Sequence, residues 1–181
     1  MEPAQQEEYR SLRDTIRERG TARVWVFLIG IAVWAALLTA TASLAALPVA
    51  TLLPLLVLAA AFEAVFALHV GVERVGRYIQ VFLEEGSGWE HAAMAFGRPL
   101  RGTRVDPLFT TYFLVATAFN FVPVLLAEPP PVVIELSVVG FAHVLVLARM
   151  TLARLAATRQ READLKRFQE LKTARESRLP G

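Results

Sequence analysis

One uncharged run of residues constrains this chain more than any other feature of its sequence. Residues 24–46 contain no Asp, Glu, Lys or Arg. As an α-helix this run would be about 34 Å long, which is enough to cross a hydrocarbon core of about 30 Å. The run is much longer than the apolar part of a cleaved signal peptide, and several acidic residues precede it. We therefore predict a retained transmembrane helix.

Three further apolar runs follow the first. They cover residues 49–70, 108–127 and 132–148, and we predict that each crosses the membrane. The composition agrees with this prediction, because 55% of the residues are hydrophobic and only 20% are charged. We therefore predict an all-α integral membrane four-helix bundle over residues 24–148, interrupted by a loop over residues 73–107.

The positions of the basic residues predict the orientation of this bundle. All 19 lysines and arginines lie outside the apolar runs. Five precede the first run, five lie between the second and third, and nine follow the fourth. The two short turns between the runs, residues 47–48 and 128–131, contain none and are called the outer turns below. Because basic residues concentrate on the cytoplasmic side of a membrane, residues 1–23, the middle loop and residues 149–181 are predicted to be cytoplasmic. A count of three or five spans would place a basic block outside.

Both cytoplasmic ends of the chain have helical patterns. Residues 5–20 would form a helix with three apolar side chains on one face: Tyr9, Leu12 and Ile16. Neither proline nor glycine occurs in residues 149–179, so we predict that the fourth span continues as a helical tail. An amphipathic helix needs a surface to cover, which can be the membrane, a partner helix or a neighbouring subunit. Antiparallel pairing of these two helices is the simplest arrangement.

Polar side chains within apolar spans are candidates for function, because they are costly to place in lipid. Apart from serines and threonines, five such candidates occur here: Glu63, His69, Asn120, Glu135 and His143. His69 can be satisfied locally, since Glu73 lies four residues later on the same helix face. Asn120 can hydrogen-bond across a helix interface. Glu135 lies close enough to the end of its span to reach water or headgroups.

Glu63 has no such local explanation. It lies eleven residues before Arg74, about 16 Å from the predicted cytoplasmic boundary and therefore near the membrane midplane. We expect Glu63 to be neutral at pH 7, without a basic partner, and to hydrogen-bond across a helix interface to a threonine or to Asn120. In the alternative interpretation, Glu63 is the proton or cation site of a small transporter or channel.

The two histidines suggest a further alternative, a b-type haem. His69 and His143 lie at similar predicted depths on different helices and could be its axial ligands, with Arg74 or Arg77 near the propionates. A metal site that combines Glu63 with both histidines is disfavoured, because Glu63 and His69 lie about 120° apart around their helix. The chain has no cysteine, which removes thiolate metal sites and iron–sulfur clusters. We expect no cofactor and no metal.

The sequence contains no motif for soluble catalysis. It has no glycine-rich phosphate loop, no GxSxG and no HExxH, and no nucleic-acid-binding module is visible. Four residues near the predicted membrane boundaries are expected to contact lipid headgroups or a partner: Arg74, Arg77, Trp89 and Arg149. We predict a non-enzymatic membrane protein that acts by assembly in the lipid bilayer, with itself or with another membrane protein.

Small residues recur at every fourth position on the first two spans. They are Ala32, Ala36 and Ala40, then Ala60 with Ala64 and Ala67 with Gly71. Such spacing lets helix backbones approach closely. We expect these residues to form contacts within the chain in preference to contacts between subunits.

Two stretches outside the apolar runs carry a resemblance to other proteins. EYRSLRDTIRERGTAR precedes the first span, and ERVGRYIQVFLEEGSGWE follows the second. Together they resemble small bacterial multi-span membrane proteins of unassigned function. The resemblance implies a bacterial inner-membrane setting, and it implies no activity, ligand or site residue.

Overall fold

Long helices account for most of the chain. The computed structural model describes residues 2–44, 47–84, 86, 88–96 and 107–178, and within these ranges every regular element is helical. The helices in chain order are α1 (Pro3–Leu44), α2 (Leu52–Tyr78), α3 (Trp89–Phe96), α4 (Pro107–Phe119), α5 (Val122–Leu125) and α6 (Val133–Glu176). A 3₁₀ turn, Pro48–Thr51, precedes α2, and a π-helical segment, Ile79–Leu83, follows it. The all-α prediction is confirmed.

Three of the described helical stretches are long and apolar enough to cross a membrane, by length and composition. They are Pro3–Ser43, Pro48–Leu83 and Val133–Glu176. A fourth apolar stretch, Phe109–Leu125, is shorter than these three. The continuous tail predicted after the fourth span is confirmed, because α6 runs without interruption to Glu176.

The third predicted span is not one continuous helix. α4 ends at Phe119, and a turn at Asn120 and Phe121 separates it from α5. Pro123 explains the break, since proline lacks a backbone N–H and its ring clashes with the carbonyl four residues earlier, that of Phe119. The span predicted over residues 108–127 is therefore divided between α4 and α5.

The chain forms two compact units, to both of which α1, α2 and α6 contribute. The first, called the apolar unit below, comprises Arg23–Phe66 and Asp106–Arg154. The second, called the polar unit, comprises Met1–Ala22, Ala67–Val105 and Leu155–Gly181. Arg98, Arg101 and Arg104, which contribute to the predicted charge asymmetry, lie outside the described residues.

The apolar unit has a core to which several helices contribute. A cluster of buried apolar side chains comes from α2, α4 and α6: Leu58, Ala61, Phe62, Val65, Phe113, Ala116, Met150 and Ala153. The Phe113 ring packs edge-on against Phe27 of α1 and Phe62 of α2, with centroids 5.6 Å apart in both pairs. α1 approaches α2 closely at Gly30, where an added Cβ would lie 2.5 Å from the Cβ of Ala61.

In the polar unit, α1 and α6 both pack on the end of α2. Tyr78 Oη donates a hydrogen bond to Glu8 of α1 at 2.8 Å, and Phe168 of α6 packs edge-on against the Tyr78 ring. Burial and the bond to Glu8 raise the pKa of the Tyr78 phenol. Lys172 Nζ donates to the carbonyl of Val81 at 2.9 Å, in the π-helical segment. Both predicted amphipathic helices therefore contact the end of α2 and the π-helical segment after it.

The short helix α3 is held by a buried carboxylate in the same unit. Gly86 makes the turn before α3 with a φ of +77°, a conformation that favours glycine. The Glu84 side chain accepts hydrogen bonds from the backbone N–H groups of Glu90 and His91, at 2.9 and 3.4 Å. Arg13 of α1 donates to Glu84 as well, at 3.3 Å. Glu84 therefore caps α3 and connects it to α1.

Candidate functional site

A half-exposed salt bridge joins α2 to α6 on the surface of the apolar unit. The Glu63 carboxylate accepts one hydrogen bond from Arg149 Nε and another from Arg149 Nη2, each at 2.8 Å. Two parallel N–H···O bonds are the strong, directional geometry that arginine forms with carboxylates. The Glu63 side chain is 45% exposed and the Arg149 side chain 51%.

This ion pair lines a groove of about 210 Å³ between the two helices. The other lining residues are all apolar: Ala59, Phe62, Leu145, Val146 and Met150. The Arg149 guanidinium also lies over the Phe66 ring, 6.0 Å from its centroid. The groove therefore combines apolar walls with one positive and one negative side chain, each about half exposed on the surface of the unit.

The pairing with Arg149 corrects the expectation that Glu63 lacks a basic partner and bonds to a threonine or Asn120. Arg149 is the first residue after the fourth apolar run, so that run itself still contains no charged partner for Glu63 other than residues at its ends. Counting along α2 gives Arg74 as the nearest basic residue in sequence. The contact between α2 and α6 instead brings Arg149, a residue of another helix, to Glu63.

The height of Glu63 along the apolar unit follows from the contact between α1 and α2. An added Cβ at Gly30 of α1 would lie 2.5 Å from the Cβ of Ala61, which precedes Glu63 on α2 by two residues. Gly30 is seven residues, about 10 Å, from Arg23 at the start of the apolar run. Glu63 therefore lies near the Arg23 end of the apolar unit and not at its middle.

Asn120 is the centre of a buried hydrogen-bond network in the apolar unit. Its side chain is fully buried and bonds to three other elements. Oδ1 accepts from Trp34 Nε1 of α1 at 3.0 Å. Nδ2 donates to the Thr51 carbonyl at 2.9 Å and to His143 Nε2 of α6 at 3.0 Å. Asn120 thus bonds across helix interfaces, at the point where the chain turns between α4 and α5.

The bonds of His143 define its tautomer and bear on the haem alternative. Its Nδ1 lies 2.8 Å from the Val139 carbonyl, which can only accept, so Nδ1 carries the proton. Nε2 then accepts from Asn120, and both ring nitrogens of the neutral imidazole are in use. An axial bond to haem iron would require His143 to give up one of these buried bonds, so the geometry disfavours a haem ligand here.

The other two polar candidates make local contacts. His69 Nε2 lies 3.6 Å from the Glu73 carboxylate one turn later, in the polar unit. Glu135, in the first turn of α6, accepts a hydrogen bond from the Val132 backbone N–H at 3.2 Å. A glutamate that bonds back to the residue before the helix is one half of a capping box, so Glu135 serves the start of α6.

The residues expected at lipid headgroups have different environments. Arg74 is half exposed and paired with Asp164 of α6 at 3.3 Å. Arg77 is buried, with 8% of its surface exposed. Trp89 begins α3 with 69% of its surface exposed.

Several polar contacts were not identified from the sequence. Glu73 and Arg161 form a two-bond salt bridge between α2 and α6 in the polar unit. Trp34 and Thr51 were not recognised as partners of Asn120. Tryptophans of membrane proteins usually lie at the membrane boundary, whereas Trp34 lies eleven residues inside an uncharged run. This unusual position was the one feature of the sequence that could have indicated a polar partner for its indole N–H.

These clusters consist of hydrogen bonds and ion pairs between helices. Among the residues that the structure describes, no group of three or more His, Asp or Glu side chains could hold a metal ion. Comparison with protein-family models, curated proteins and solved structures finds no match to this chain. The resemblance to small bacterial multi-span membrane proteins therefore stays a prediction.

Proposed function

We propose that the chain is a four-span protein of a bacterial inner membrane, with both termini in the cytoplasm. The three long apolar helices support membrane insertion, and the stretch of α4 and α5 is the remaining span of this proposal. The positions of the basic residues support the orientation, since they leave both short outer turns without positive charge. The exposed apolar side chains of α1 and α6 would then face lipid.

We further propose that the protein is non-enzymatic and acts by assembly, first of all with itself through α1. One observation carries this proposal: Ala32, Ala36 and Ala40 are all exposed. The expectation that this stripe packs within the chain is wrong, because α1 approaches α2 through Gly30 instead. Small residues at every fourth position on a free face allow two helices to pack closely in a membrane.

Replacing Ala36 with leucine tests this interface. The larger side chain would hold two α1 helices apart, and overpacking of this kind costs about 1–3 kcal/mol, so we expect about tenfold weaker self-association. Leucine favours the lipid phase, so insertion should be retained. Native mass measurement in mild detergent at several protein concentrations would report the oligomer.

Ala118→Leu is the matched control, because Ala118 is an exposed alanine on α4. Assembly through α1 predicts that this control self-associates like the wild type. A wild-type protein that is monomeric at every concentration and copurifies with no other protein would refute assembly. Equal self-association of both variants and the wild type would refute the α1 interface. The transporter and haem alternatives stay predictions.

A further inference from the structure

The groove at Glu63 and Arg149 has the features of a phospholipid site. Its walls are apolar, which suits an acyl chain, and its only charged residues are the members of one ion pair. These charges lie near the Arg23 end of the apolar unit, which faces the cytoplasm in the proposed orientation. Headgroups of the inner leaflet lie at that level, so the inference rests on the proposed membrane insertion.

The ion pair leaves bonding capacity on both partners. Arginine has five N–H donors, and the bonds to Glu63 use Nε and Nη2, so donors remain for a phosphate. A carboxylate has about four acceptor positions, so Glu63 can accept from a further donor. Since about half of each side chain is exposed, this capacity can be reached from the groove.

The two opposite charges select one kind of headgroup. A purely anionic lipid would meet the Glu63 carboxylate beside Arg149, whereas a zwitterionic headgroup complements both charges. A primary ammonium can donate hydrogen bonds to Glu63, while a trimethylammonium has no N–H to donate. We propose that the groove binds a phosphatidylethanolamine, with its phosphate at Arg149, its ammonium at Glu63 and an acyl chain between α2 and α6.

Lipid retention measured by native mass spectrometry tests this site. Purified full-length protein in mild detergent is mixed with phosphatidylethanolamine, phosphatidylcholine or phosphatidylglycerol of identical acyl chains. We expect about tenfold tighter retention of phosphatidylethanolamine than of the other two, because phosphatidylcholine has no N–H to donate to Glu63 and phosphatidylglycerol has no ammonium to pair with it. Equal retention of phosphatidylethanolamine and phosphatidylcholine, or tighter retention of phosphatidylglycerol, would overturn the proposal.

Variants separate the two headgroup contacts. Glu63→Gln should retain phosphatidylethanolamine and phosphatidylcholine equally, and Arg149→Gln should lose about tenfold of both. Arg74→Gln is the matched control, because Arg74 is also 51% exposed and paired with a carboxylate. Arg149→Gln that retains lipid as well as Arg74→Gln does would contradict the site.

A groove-filling variant avoids breaking the ion pair. Ala59→Phe places a ring where the acyl chain would lie, and we expect about tenfold weaker retention with Glu63 and Arg149 unchanged. Retention equal to the wild type would count against the site. Carbonate extraction of the same membranes reports insertion separately. A chain released by carbonate refutes the proposed function, whereas an inserted chain without lipid preference refutes only the lipid site.

Discussion

Replacing Asn120 with leucine is expected to lower the free energy of unfolding by about 3 kcal/mol, because leucine keeps the branched shape of the side chain and removes its hydrogen bonds. The indole N–H of Trp34, the Thr51 carbonyl and His143 Nε2 would each lose their bond to Asn120. Thr51 and His143 are buried, so their polar groups have little access to replacement partners. An unsatisfied buried group costs about 1–3 kcal/mol. Three such groups would cost more than 3 kcal/mol if none found a new partner, and local rearrangement reduces the expected loss to about 3 kcal/mol.

Unfolding by sodium dodecyl sulfate in mixed micelles would measure this effect. Thr39→Ala is the control, since Thr39 is exposed and bonds only to the carbonyl of Ala35 in its own helix. We expect the control to stay within about 0.5 kcal/mol of the wild type. A loss below 1 kcal/mol in Asn120→Leu would show that the network contributes little to stability.

Replacing Gly30 with alanine is expected to destabilise the protein by about 2 kcal/mol. The new Cβ would lie 2.5 Å from the Cβ of Ala61, closer than two carbons can approach, and neither atom belongs to a flexible side chain. α1 and α2 would have to move apart, and overpacking costs about 1–3 kcal/mol. Alanine has the higher helix propensity by nearly 1 kcal/mol, so a loss of stability would show that the steric effect prevails.

A second substitution, in α2, can relieve the clash between Gly30→Ala and Ala61. Ala61→Gly removes the methyl group that the new Cβ would meet, so the double variant Gly30→Ala with Ala61→Gly should recover most of the lost stability. The same unfolding assay on both single variants and the double variant gives the coupling energy. Additive effects of the two substitutions would contradict the close contact between Gly30 and Ala61.

Features that depend on one stretch of sequence could be predicted well. The uncharged runs and the absence of proline and glycine predicted long helices, and α6 extends unbroken from Val133 to Glu176. Pro123, which has no backbone N–H, also predicts the break after Phe119. The apolar character of residues 108–127 predicts only that this stretch can cross a membrane, and it does not show where the helix is interrupted. The bond of Glu135 to the Val132 N–H is equally local, but Glu135 was expected to reach water or headgroups and its capping role was not predicted.

Features that depend on which helix faces which could not be predicted from one sequence. Glu63 was compared with Arg74 on its own helix, whereas its partner Arg149 lies 86 residues away in the chain. Hydropathy does not distinguish a lipid-facing alanine from one that packs within the chain, so Ala36 and its stripe were assigned to the wrong contact. Asn120 was expected to bond across an interface, but its partners Trp34 and Thr51 follow only from the folded arrangement.

Single-cysteine labelling tests the central claim, a membrane protein with both termini in the cytoplasm, most directly. The chain has no native cysteine, so each introduced cysteine reports only its own position. A membrane-impermeant maleimide applied to spheroplasts should label Leu47→Cys and Pro130→Cys, and it should label Ser11→Cys and Ser177→Cys only after lysis. Labelling of Ser11→Cys or Ser177→Cys in intact spheroplasts, or of Leu47→Cys only after lysis, would contradict the proposed topology.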